Sequence, residues 1–189
     1  NLGNLYKSLG QFEKATSCYL KAKEIRAKQE PFLQHADYAA SCNILADLYA
    51  ETAKYKDAED LYKEAMQIRK NNLGAFSGDY AESCNNLATL YAEEKKYEDA
   101  EKYALQAKII WDSLATAQSP NYGISSNNLG DIYLKWGKYD TALHYFLQAR
   151  NIWKTQLGED HPFYNVNTIN MARVFSATNE NEKADSLYK

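Results

Sequence analysis

Apolar and small positions recur along the chain in a helical rhythm, and the rhythm itself recurs. Asn85-Asn86-Leu87-Ala88-Thr89-Leu90-Tyr91 returns as Asn127-Asn128-Leu129-Gly130-Asp131-Ile132-Tyr133, 42 residues on. The same step backward finds Asn43-Ile44-Leu45-Ala46-Asp47-Leu48-Tyr49, and forward Ile169-Asn170-Met171-Ala172-Arg173-Val174-Phe175. A further copy opens the chain at Asn1-Leu2-Gly3-Asn4-Leu5-Tyr6, 43 residues before the second. A second motif trails each copy: Phe12…Ala15…Tyr19…Ala22…Ile25, then Tyr55…Ala58…Tyr62…Ala65…Ile68, with matching runs from Tyr97 and Tyr139. In the third unit Leu87, Ala88, Leu90 and Tyr91 keep helical spacing, and so do Tyr97, Ala100, Tyr103, Ala104, Ala107, Ile110 and Trp111. Each unit therefore predicts two helices, parted by polar runs such as Glu93-Glu94-Lys95-Lys96 or by Trp136-Gly137-Lys138, where Gly suits a helix end. Pro120 and Pro162 mark helix starts, because Pro fits the first turn.

The small positions have a mechanical reading. Gly3, Ala46, Ala88, Gly130 and Ala172 fall at one point of the first helix, and Ala15, Ala58, Ala100, Ala142 and Ala184 at one point of the second. Helix axes come within ~8–10 Å only where side chains are short. A single pair cannot bury such a stripe, so neighbouring pairs must stack. The expected fold is all-α: a right-handed α-α superhelix of about four and a half helix-turn-helix repeats, with a concave and a convex face. The repeats are expected over roughly 1–35, 36–77, 78–119, 120–161 and a truncated 162–189, as one array.

Composition narrows the function. The 189 residues carry 22 basic and 25 acidic side chains, a net charge of -3. The signs alternate without a basic stripe, which argues against nucleic acid as a partner. No run approaches the ~18 apolar residues of a membrane span. Cys18, Cys42 and Cys84 make no disulfide framework and no CxxC, so a reducing compartment, the cytoplasm, is expected. The chain lacks an initiator Met and opens inside a first helix, so it reads as a fragment of a longer protein.

These residues resemble the tetratricopeptide repeat (TPR) family, whose pattern L-G/A-x-x-Y…A-x-x-x-F/Y-x-x-A is met in four copies and a truncated fifth. The usual period is 34 residues. The longer period here, with the joint Leu157-Gly158-Glu159-Asp160-His161-Pro162, is similar to kinesin light chains and to bacterial arrays beside CHAT-type protease and signalling domains. The family's Trp position holds Cys42, Cys84, Ser126 and Thr168, and Asn181 stands where other units have Tyr or Phe. The resemblance implies that the first helices line a groove that holds a peptide or partner segment. Two asparagine ladders then face it: Asn43, Asn85 and Asn127, broken by Ile169, and Asn1, Asn86, Asn128 and Asn170, broken by Ile44. One turn on come Asn4, Asp47, Thr89, Asp131 and Arg173. An Asn amide both donates and accepts, so a row of them suits an extended peptide backbone; the competing reading is that they tie adjacent helices together. Asp47 and Asp131 stand where a carboxylate clamp would need cations, with Lys7, Lys135 and Arg173 nearby, so a neutral or mildly basic segment is expected.

Other residues read more plainly. Trp111 and Trp153 occupy the place of Arg26 and Arg69 in earlier units, as joint packing or as anchors for a partner; Trp136 is exposed or packs at its joint. Cys42 and Cys84 are small packing residues. His35 and His161 are equivalent joint residues, with His161-Pro162 a helix-entry turn, and His144 sits on a second helix. No His pair has i,i+4 spacing, and no nucleophile elbow, P-loop or dinucleotide fingerprint occurs, so neither metal, cofactor nor catalytic residue is expected. The leading expectation is a non-enzymatic protein-interaction module. Two alternatives remain: a regulatory segment of a larger enzyme, and a scaffold that self-associates through unsealed ends such as Leu187 and Tyr188.

Overall fold

The computed structural model describes residues 2–28, 31–114 and 119–187, with the backbone alone for 31–35. Asn1 and Tyr188, expected in a ladder and at an end, lie outside the described residues, as does the His35 side chain. Ten helices and no strand occur among the described residues: α1 Leu2–Ser8, α2 Phe12–Ala27, α3 Pro31–Glu51, α4 Tyr55–Leu73, α5 Gly78–Glu93, α6 Tyr97–Ser113, α7 Pro120–Lys135, α8 Tyr139–Leu157, α9 Pro162–Ala177 and α10 Asn181–Leu187. Odd-numbered helices are the first of each pair and even-numbered the second. Pro120 and Pro162 open their helices as the sequence predicts, capped by Ser119 and by the ring of His161. Pro31 is the first residue of α3.

The chain divides into two compact units, Asn1–Leu90 and Tyr91–Lys189. In the first, α1 packs on α2, α2 on α3 and α3 on α4. In the second, α6 packs on α7, α7 on α8, α8 on α9 and α9 on α10. The small-residue columns are buried in the packing of the helices. Ala46, Ala88 and Ala172 are fully buried, and so are Ala15, Ala58, Ala100 and Ala142. At Gly130 the opposing helix supplies the Phe146 ring, and a Cβ there would stand 2.5 Å from it. Gly130 and Phe146 are thus a volume-matched pair.

The turn inside each pair is built the same way five times. Gly10, Ala53, Lys95, Gly137 and Asn179 all take positive φ, between 57° and 79°. The next amide reaches back five residues: Gln11 to Tyr6, Lys54 to Tyr49, Lys96 to Tyr91, Lys138 to Tyr133 and Glu180 to Phe175, at 2.8–2.9 Å. Left-handed backbone here lets the last carbonyls of the first helix find donors. Between pairs, Gly74 and Gly158 end α4 and α8 with φ near +86° and extended ψ, a region nearly confined to glycine.

Two substitutions check this construction in opposite directions. Gly130→Ala is expected to lower stability by about 1–3 kcal/mol through the clash with Phe146. Lys95→Gly is expected to raise it by about 1 kcal/mol by relieving left-handed strain. Urea midpoints of the two variants read both.

Candidate partner-binding face of the first helices

In the first unit the expected site residues are mostly engaged. Asn43 is buried at 8% exposure. With its amide oxygen turned to the Arg69 guanidinium, it accepts from both Nη atoms at 3.2 Å. Arg69, from α4, also donates to the Asp79 carbonyl and the Ser83 hydroxyl at 3.0 Å and pairs with Glu82 at 3.1 Å. Arg26 repeats the device one pair earlier, reaching the Asp37 carbonyl at 3.1 Å and Ser41 at 2.5 Å. Asp47 accepts a short hydrogen bond from the Tyr62 hydroxyl. Burial raises the Asp47 pKa, against the lowering pull of Tyr62 and Lys7. Lys7 itself is held by Glu51 at 2.6 Å. Asn85 is buried, whereas Asn86 is half-buried and Thr89 exposed, with its hydroxyl returned to the Asn85 carbonyl at 3.1 Å.

The second unit joins more of the expected residues. Asn127 Oδ1 on α7 accepts from Asn167 Nδ2 of α9 at 3.1 Å and lies 3.5 Å from Asn170 Nδ2. Asn170 accepts from Arg173 at 3.1 Å, and Arg173 stands 3.5 Å from Asp131. Lys135 pairs with Asp131 and with Glu93, each at 2.7 Å. Burial alone would lower the Lys135 pKa, but hydrogen bonds to the two carboxylates outweigh it and hold the ammonium above its ordinary value. The result is a polar chain, Glu93–Lys135–Asp131–Arg173–Asn170–Asn127–Asn167, whose charges cancel. Asn128 stands half-buried on α7, outside that chain of bonds.

The two readings of the asparagines therefore separate by position. Asn43, Asn127 and Asn170 make inter-helix ties, while Asn86 and Asn128 are half-buried and Thr89 exposed. Asn167, absent from the expected set, is fully buried in the register of Ser41, Ser83 and Ser125. Its position 42 residues after a run of serines was the available signal. Trp153 is 2% exposed and donates to the Pro120 carbonyl at 3.1 Å, as the packing reading has it. Trp111 packs against the same cluster of Tyr122, Ala149, Ile152 and Trp153. Trp136 stacks between Tyr97 and Tyr133. Burial pushes the Cys42 and Cys84 thiols up to about 12, which removes them as nucleophiles near neutral pH. Leu187 is half-buried. No described helix is long and apolar enough to cross a membrane.

The family model of the tetratricopeptide repeat matches residues 1–71 and 79–155. The chain belongs to the tetratricopeptide repeat family. Its TPR fold is also that of solved structures. BtubC from P. vanneervenii is 26% identical, with a TM-score of 0.81 over 98% of this chain and 74% of that one. A Podosopora anserina protein named for kinesin light chain, with nearly identical TPR-like repeats, is 22% identical, with a TM-score of 0.78 over 99% and 88%. The Rap conjugation gene regulator of plasmid pLS20, solved in complex with the Phr* peptide, is 20% identical, with a TM-score of 0.78 over 98% of this TPR chain and 49% of that one. No curated protein matches the chain.

Two measurements check the division of labour among the TPR side chains. Asn127→Ala leaves the buried Asn167 amide without its acceptor and is expected to cost about 1–3 kcal/mol in a denaturant titration, with Asn128→Ala near neutral. Glu64 of α4 takes Lys23 at 2.8 Å and the Tyr38 hydroxyl at 2.7 Å. Burial would raise its pKa, but these two bonds hold it below the ordinary 4.5. A depressed acid pKa contributes stability above the unfolded value and loses it as pH falls through the folded one. Glu64→Gln is thus expected to flatten the stability-versus-pH curve below about pH 4.5, read as Tm.

Proposed function

We propose that this TPR chain is one repeat array acting as a non-catalytic protein-interaction module, which holds an extended peptide or partner segment against the first helices of its pairs. The observation that carries the reading is the state of the face on α7 and α9. Its charges are compensated internally, with Lys135 and Arg173 spent on Asp131 and Glu93, while Asn128 keeps its amide for a ligand. A partner gains little there by bringing strong charge of its own and gains hydrogen bonds by offering backbone amides. That supports a neutral or mildly basic segment. The preset helices lose little conformational freedom on binding, which favours affinity. That the structurally similar Rap regulator of plasmid pLS20 is solved with a peptide supports a peptide or protein segment as the kind of partner. Three free thiols support a cytoplasmic setting.

A peptide array on the intact chain tests the reading. Peptides retained by the unaltered protein are expected to bind at least tenfold more weakly to Asn86→Ala/Asn128→Ala, at unchanged Tm. Undiminished binding by that stable double variant would remove the face from the account.

A further inference from the structure

Asp47 and Asp131 occupy the same position of the first helix, two repeats apart, and meet different neighbours. Asp131 is answered twice. Lys135, one turn on in α7, pairs with it at 2.7 Å, and Arg173, from the equivalent position of the next first helix, stands 3.5 Å away. In the first unit the same two places hold Glu51 and Thr89. Among the described residues Asp47 makes no ion pair within 4.0 Å. Lys7, whose charge does act on Asp47, is turned to Glu51 at 2.6 Å. Two carboxylates thus share one ammonium around Asp47, whereas Glu93 and Asp131 are matched by Lys135 and Arg173.

The Asp47 carboxylate is reachable from solvent and half spent. The Tyr62 hydroxyl donates to its Oδ1, and among the described residues its Oδ2 accepts no bond. Burial raises its pKa despite Tyr62 and Lys7, as expected of a carboxylate whose lost hydration is not made good by positive charge. Ile44 lies one turn earlier on the same side of α3. It is 39% exposed and stands where later first helices have Asn86, Asn128 and Asn170. An apolar side chain one turn from an unanswered carboxylate suits a long basic side chain, whose methylene stem covers apolar surface while its head stays with the charge.

Resting on the proposed role of the first-helix face, we infer that the first unit selects a lysine or arginine in the segment held there, with the stem on Ile44 and the cation on the Asp47 carboxylate. Asn86, at the position of Ile44 in the next first helix, offers its amide to the adjoining backbone. Asp47 is then the residue that sets specificity; Asp131, answered from within the chain, makes no such demand. A neutral segment gains nothing at Asp47, and a free cation would leave Ile44 in water.

A random nonapeptide library displayed on phage is panned in parallel on the unaltered 189-residue chain, on Asp47→Asn and on Thr89→Arg. Asp47→Asn keeps an oxygen for the Tyr62 hydroxyl and removes the charge. Thr89→Arg gives Asp47 the cation that Arg173 gives Asp131, and keeps the test decisive if Asp47→Asn fails to fold. Peptides retained by the unaltered chain are expected to carry lysine or arginine at one shared position about threefold above the input library, the scale of a solvent-accessible ion pair. That enrichment is expected to vanish with either variant. Asn86→Ala/Asn128→Ala, panned beside them, reads the first-helix face itself. Retention that this variant weakens, but without basic enrichment on the unaltered chain or with enrichment surviving Asp47→Asn and Thr89→Arg, overturns the assignment of Asp47 and leaves the face standing. Retention that it does not weaken, or none by the unaltered chain, overturns the face and the assignment with it.

Discussion

Close approach of two helix axes at a fixed pair of small residues is the constraint on which the rest of this structure depends. Ala46, buried where α3 packs on α4, and Gly130 under the Phe146 ring place these first helices at contact distance from their second helices. That contact fixes where the neighbouring pair must dock, and so which side chains are buried and which remain for a partner. The left-handed turn residues and the Gly74 and Gly158 joints serve the same spacing by closing each pair within a few residues.

Polar chemistry is layered on that frame. Side chains near the ends of the second helices tie helices together: Arg26 and Arg69 grip the backbone and a serine of the next first helix, whereas Trp153 turns its indole N–H back to the Pro120 carbonyl of its own pair. The exchange of Arg for Trp along the chain changes both the donor and the helix it ties. Around α7 and α9 the charges of Glu93, Lys135, Asp131 and Arg173 compensate one another.

Much of the fold was legible because packing repeats every 42 residues, so each buried position is written several times. The crossing columns, the paired helices and the proline starts could be read from spacing alone. The site was legible only as a set of positions. Whether an asparagine binds a ligand or braces a helix depends on what reaches it across a joint. Asn43 meets Arg69 from 26 positions away, and Asn127 meets Asn167 from 40. Neither partner shares its helix, so no local pattern announces the bond. The Glu93–Lys135 pair was closer to legible, because the two residues occupy the same repeat position with opposite charge in successive first helices.

Native-state hydrogen exchange of the whole chain tests the central constraint most directly. Amides flanking the crossing points, at Ala46, Ala58, Gly130 and Ala142, are expected to exchange slowest in their units, well behind those of the joint at residues 158–161. Exchange at Gly130 and Ala142 as fast as at that joint would contradict the account.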